Sequence, residues 1–266
     1  MANAATAKSA KAAPVPAAGS EARMPFMLHL KELRDRLIRS VIAIVITTGL
    51  SIFFLGERAI ELLKRPAPIG TIFVVITPTE YIGVWFKVSL WIGILAAMPV
   101  LVYQFLAYIA PGMTSKEKKF IFTMMPFITI MFVFGVAFSY FFALPAILNF
   151  LYQFGEGSVE IQIRLSAHID LVTRLMLATG LVFETPLIIM ALAKIGVVSP
   201  EWLAKRRKIW LVAAFIIGAM ITPDPMPQTQ IMVAIPLILL LELGILLARF
   251  VYKKKRDNPP ASSGAA

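Results

Sequence analysis

Apolar runs of about 14 to 30 residues recur along most of the chain and constrain its fold more than any other feature. In hydrocarbon a backbone amide finds a partner only within its own helix or in a closed barrel. These runs do not alternate and are far too long for barrel strands, so they read as helices. Six spans are expected, at roughly 37–55, 81–108, 120–152, 169–193, 209–222 and 229–248. Of the 266 residues 59% are hydrophobic and only 15% charged, against about 25% charged in a soluble domain. The fold class is therefore all-α integral membrane protein. Residues 24–250 form the membrane domain. Residues 1–23 are Ala-rich, lack the apolar stretch of a signal peptide and read as a disordered tail; 251–266 reads as a basic, then disordered tail.

The net charge of +11 raises nucleic acid as a partner, but the basic residues lie in short clusters between apolar runs, where membrane orientation explains them. The segment to residue 40, the 109–119 loop, the 194–208 loop and the tail from 249 carry seven, three, five and five Lys and Arg. The 56–80, 153–168 and 223–228 loops carry three, one and none. The basic side is expected to be cytoplasmic, with both termini inside. The chain has no cysteine, so disulfides, thiolate metal sites and a cysteine nucleophile drop out.

The last two spans are expected to be short. About 14 residues cover only about 21 Å of a core about 30 Å thick. Snorkelling of Arg207 and Lys208, local thinning of the bilayer and a re-entrant hairpin are all compatible with this. Pro99, Pro126, Pro145, Pro186 and Pro236 lie within spans and are expected to kink them into a concave bundle.

Charged groups inside the spans are costly, at least about 2.5–3.5 kcal/mol near the bilayer centre, so each needs a partner, water or a proton. Glu184 in LVFETPL lies deep in the fourth span, two residues before Pro186, which frees the carbonyl of Val182. Carboxyl and carbonyl make a polar notch, suited to docking a polar group of another helix or to holding a proton; an internal hydrogen bond is the plainer alternative. Glu242 lies in the sixth span nearer the cytoplasmic end, and Lys87 and Arg174 read as residues snorkelling to the outer face.

The first cytoplasmic loop ends its helix at Pro111-Gly112. Thr114 or Ser115 can cap the next helix, and Glu117 falls in its first turn, where the helix dipole favours an anion. Ahead of the first span, HLKELRDRL places Leu30, Leu33 and Leu37 on one helix face, with Glu32–Arg36 and Asp35–Arg39 at pairing distance. Topology accounts for the cations but not for the acids. Two surface carboxylates, Glu32 and Glu117, could grip a pair of guanidinium groups in bidentate fashion.

HLKELRDRL, MPVLVYQFLAYIAPGMTSKEKK, LVFETPL and ITPDPMPQTQIMVAIPLILLLELG, in this order over roughly residues 24–250, resemble the TatC family of twin-arginine translocase subunits. The resemblance implies a curved, glove-like bundle of six helices in a bacterial cytoplasmic membrane. It implies a receptor for the twin-arginine signal peptides of folded cargo. The partners would be single-span TatA and TatB proteins in a larger, homo-oligomeric complex driven by the proton-motive force. No cofactor, metal or nucleic acid is expected. By position, Glu32 and Glu117 would receive the paired arginines, with Arg34 and Lys118 beside them. Tyr108 stands where many members carry Phe. Glu184 matches the intramembrane acid of partner docking, and Thr222 and Gln228 border an outer turn, containing Asp224, where a partner contact is expected.

Two other classes compete. A proton-coupled small-solute transporter using Glu184 predicts internal repeats and broken helices, and no repeat relates residues 24–150 to 151–250. An intramembrane hydrolase needs a nucleophile and a base within the bilayer. His29 and His168 lie at span edges on opposite sides, and neither GxSxG nor HExxH occurs, so no enzyme is expected.

Overall fold

The computed structural model describes residues 26–153, 162–222 and 226–252. Helix α1 (Phe26–Phe54) absorbs the charged HLKELRDRL motif as its opening turns, so motif and first span are one rod. It runs along α3 (Pro78–Ile109). Small residues allow the close approach: Thr47 Oγ1 donates to the Gly93 carbonyl at 2.7 Å, and a Cβ on Gly93 would lie 2.7 Å from the Thr48 backbone.

At the outer end the chain builds a cap that no span pattern announces. Helix α2 (Gly56–Lys64) buries Ala59, Ile60 and Leu63. Strand β1 (Ile72–Val74) pairs in parallel with β2 (Gln162–Arg164), with Phe73 opposite Ile163. The Glu80 carboxylate ties the cap down, accepting from Arg164 Nε at 2.9 Å and from the Ile76 and Ser166 amides. Buried His168 bridges the Tyr152 hydroxyl and the Leu63 carbonyl.

Helix α4 (Ser115–Phe138) continues through a widened π turn at Ser139–Ala143 into α5 (Leu144–Gln153). Pro145 lacks an amide hydrogen and its ring crowds the preceding turn; widening that turn accommodates both without breaking the rod. The fourth span does break: α6 (Leu165–Phe183) gives way at Glu184 to α7 (Thr185–Lys194), with Pro186 in the first turn. Helices run unbroken through Pro99, Pro126 and Pro236, so only two of the five prolines interrupt regular α-helix. The chain ends with α8 (Pro200–Lys205), α9 (Arg207–Ile221) and α10 (Pro227–Val251).

Among the described residues, five helical stretches are long and apolar enough to cross a membrane: Met27–Phe54, Pro78–Gly112, Ser115–Gln153, Leu165–Lys194 and Pro227–Val251. Helix α9, with 15 residues, is short, as expected. The last helix is not. Its 25 residues reach about 38 Å, because helix continues through Pro227 at one end and Arg249 at the other. Arg207 pairs with Glu242 across α9 and α10 at 2.8 Å, so Arg207 is anchored to a carboxylate. Lys87 likewise pairs with Asp170.

The main core joins α3, α5 and α6 through Val88, Leu144, Ile147, Leu148, Ile169 and Val172. Outside it, large apolar side chains such as Ile46, Phe53, Leu239 and Phe250 lie exposed around the bundle, a surface suited to lipid.

Candidate functional site

The basic end is built where α1 meets the end of α3. Glu32 is half-buried and its Oε1 accepts from Arg36 Nε at 2.9 Å and Nη2 at 2.5 Å, the i, i+4 pair expected. Arg36 also reaches the buried Gln104 at 3.4 Å. One helical turn before Glu32, the His29 ring stacks on Tyr108, with centroids 4.4 Å apart and planes 18° from parallel. Glu32, Gln104 and Tyr108 thus share one helix interface. Asp35 is bonded by Arg34 at 2.8 Å rather than by Arg39, and Arg34 remains largely exposed.

Past Tyr108 a single 3₁₀ turn at Ala110–Gly112 leads to α4, which opens with a reciprocal cap. The Thr114 amide donates to Glu117 Oε2 at 2.9 Å, and the Glu117 amide donates to Thr114 Oγ1 at 3.4 Å. This is the helix-start chemistry expected for Glu117. It fixes one carboxylate oxygen and leaves Oε1 without a hydrogen bond among the described residues. Glu32 is similar: both Arg36 bonds fall on Oε1, leaving Oε2 open. Lys118 is exposed, on the turn after the cap. No hydrogen bond or ion pair links Glu32 to Glu117 among the described residues; Glu32 stands on α1 and Glu117 in the first turn of α4, two helices that each pack on α3.

Between α3, α4, α6 and α7 runs a groove of about 660 Å³. Ile94, Met98, Phe105, Phe132, Leu177 and Ile188 typify its walls, and its basic-end mouth is formed by Ile109, Met113 and Ile195. Glu184 is its one ionisable lining residue among the described residues. That carboxyl is 5% exposed, at the break between α6 and α7. The Phe132 backbone approaches it, but neither carboxyl oxygen completes a hydrogen bond among the described residues. Thr222 and Gln228 lie at the far end. Thr222 is buried with its hydroxyl donating to the Gly218 carbonyl at 3.1 Å, whereas Gln228 is exposed in the first turn of α10. Asp224 lies outside the described residues.

Sequence reasoning passed over Gln104, His29 and Asp170. Gln104 carried a usable signal, an amide inside an apolar run; the partners of His29 and Asp170 lie 79 and 83 residues away in the chain, with no local mark.

A family model described as Sec-independent protein translocase protein (TatC) matches residues 28–236. The Sec-independent protein translocase protein TatC of Aquifex aeolicus is 38% identical over 239 residues, covering 88% of this chain and 98% of that protein. The protein of that name from Carboxydothermus hydrogenoformans is 34% identical, over 87% of this chain and 96% of its own. A chloroplastic relative from Pisum sativum is 33% identical over 79% of this chain and 60% of its own length. A crystal structure described as the twin arginine translocase receptor TatC superposes with a TM-score of 0.74 at 37% identity, covering 84% of this chain and 99% of that one. With its helical membrane architecture, carboxylate-bearing basic end and apolar groove, this chain belongs to the TatC family of protein translocase components.

Proposed function

We propose that this chain reads twin-arginine signal peptides at its basic end, which faces the cytoplasm of a bacterium whose inner membrane it spans. The observation that carries the reading is an adjacency. The apolar groove opens at Ile109 and Met113, and Glu117 follows Met113 by four residues. A signal with an arginine pair ahead of an apolar stretch matches that order: charge at the mouth, apolar helix in the groove. Each carboxylate is positioned through one oxygen, Glu32 by Arg36 and Glu117 by Thr114, and offers the other to a guanidinium. Such a site is wet, so selectivity comes from paired, directional bonds and not from one ion pair. Lysine lacks the planar fork and discriminates itself out. Arg34 and Lys118 flank the site, and Tyr108 holds its wall through His29.

Glu184, an unsatisfied carboxyl in an apolar wall, suits a polar group on a single-span TatA- or TatB-type partner, with Gln228 and the Thr222 turn as a second contact. Several copies of the chain would assemble with these partners for export driven by the proton-motive force. Labelled Arg-Arg and Lys-Lys signal peptides binding to the purified chain test the reading. Tighter Arg-Arg binding, lost in Glu32→Ala and Glu117→Ala, is expected. Equal binding of both peptides would overturn it.

A further inference from the structure

We propose that the Lys87–Asp170 ion pair is a charged stop at the outer end of the groove, fixing the length of apolar helix the groove accepts. The inference rests on the receptor reading and adds a length rule to it. The pair ties α3 directly to α6, and each side chain is half-exposed, 41% for Lys87 and 45% for Asp170. Helical periodicity aligns both with the groove. Lys87, Ile94 and Leu101 recur at seven-residue steps on α3, and Asp170, Leu177 and Glu184 recur likewise on α6 and its break. Ile94, Leu101, Leu177 and Glu184 all line the groove, so the next step outward on each stripe is the ion pair.

Beyond Ile94 and Leu177, then, an occupant meets two charges instead of apolar wall. An apolar side chain laid against them strips their water and returns no hydrogen bond. From Ile94 to Ile109 the α3 wall spans 15 helical steps, about 22 Å, the length of a helical segment of about 15 residues. Extending the wall to Lys87 would admit about 22 residues. The occupant is therefore a short apolar helix that ends in polar residues at the stop. A membrane-spanning helix of about 20 residues is longer than the walled groove, and this separates a signal segment from a permanent anchor.

The test is equilibrium binding of labelled Arg-Arg peptides with Leu/Ala segments of about 11, 15, 19 and 23 residues to the full purified chain. The intact chain is expected to bind the 15-residue segment best and the 23-residue segment about tenfold more weakly. Lys87→Met/Asp170→Leu is expected to bind both equally, and the swapped pair Lys87→Asp/Asp170→Lys to restore the preference. Asp170→Asn, which keeps the side-chain shape, is expected to reduce the discrimination to about threefold and serves should the double variant not fold. An unchanged length profile in Lys87→Met/Asp170→Leu or, where that variant does not fold, in Asp170→Asn overturns the stop. So does an intact chain indifferent to length. Arg-Arg peptides preferred over Lys-Lys in the same series would leave the receptor reading standing while the stop fell.

Discussion

Replacing Gly93 by alanine tests how the basic end is held in register. The added Cβ would lie 2.2 Å from Thr48 Oγ1 and 2.7 Å from Thr48 Cα and N. A threonine rotamer change relieves the first contact but not the backbone ones, so α1 and α3 must separate by about 1 Å to reach ordinary van der Waals distance. Overpacking of this kind costs about 1–3 kcal/mol. The separation also stretches the 2.7 Å bond from Thr47 Oγ1 to the Gly93 carbonyl, worth about 0.6–1.7 kcal/mol in a membrane setting. Gly93→Ala is therefore expected to lose about 2–4 kcal/mol in reversible unfolding in mixed micelles. Gly83, on the same helix, has nothing within 4 Å of its own added Cβ. Gly83→Ala should be neutral or stabilising by up to about 1 kcal/mol. A Gly93→Ala loss below about 0.5 kcal/mol, or one matching Gly83→Ala, would refute the close-packing argument.

Thr114→Ala removes the reciprocal cap and should cost about 1 kcal/mol, with weaker Arg-Arg peptide binding as Glu117 loses its anchor; Thr114→Ser should restore both in melting and binding assays. Glu184→Leu removes a buried, unsatisfied carboxyl and should stabilise the isolated chain by about 1–3 kcal/mol, while abolishing co-purification with single-span partners. Tyr108→Phe keeps the His29 stack and should leave peptide affinity within about twofold; Tyr108→Ala should cost about 1 kcal/mol of stability.

What the sequence disclosed tracks how local each interaction is. The long spans were legible because lipid leaves an apolar segment no alternative to helix. The Glu32–Arg36 pair and the Thr114–Glu117 cap were legible because their partners sit four and three residues apart. Asp35 was misassigned to Arg39 because spacing alone cannot rank it against neighbouring Arg34. The last helix was read short because the count of about 14 residues for the fifth span was extended to it, although its expected span 229–248 already covers about 30 Å and the helix starts earlier, with proline in its first turn. The prolines act unequally on helix continuity: Pro145 follows a π turn and Pro186 accompanies a break, while the helices continue through Pro99, Pro126 and Pro236. The outer cap was invisible, since its three-residue strands pair Ile72 with Gln162 across 90 positions of chain. The Lys87–Asp170 pair was missed for the same reason, Lys87 being read as a snorkelling residue with no partner.

The central claim is that carboxylates of this end hold the guanidinium groups of a signal peptide. A double-mutant cycle measures it most directly, pairing Glu117→Gln in the chain with Arg→Lys in the peptide. Direct bidentate contact predicts a coupling of at least about 1 kcal/mol, because once Glu117 is gone the peptide substitution should cost little. Effects that add within about 0.5 kcal/mol would mean that Glu117 and the signal arginines do not meet, and would contradict the account.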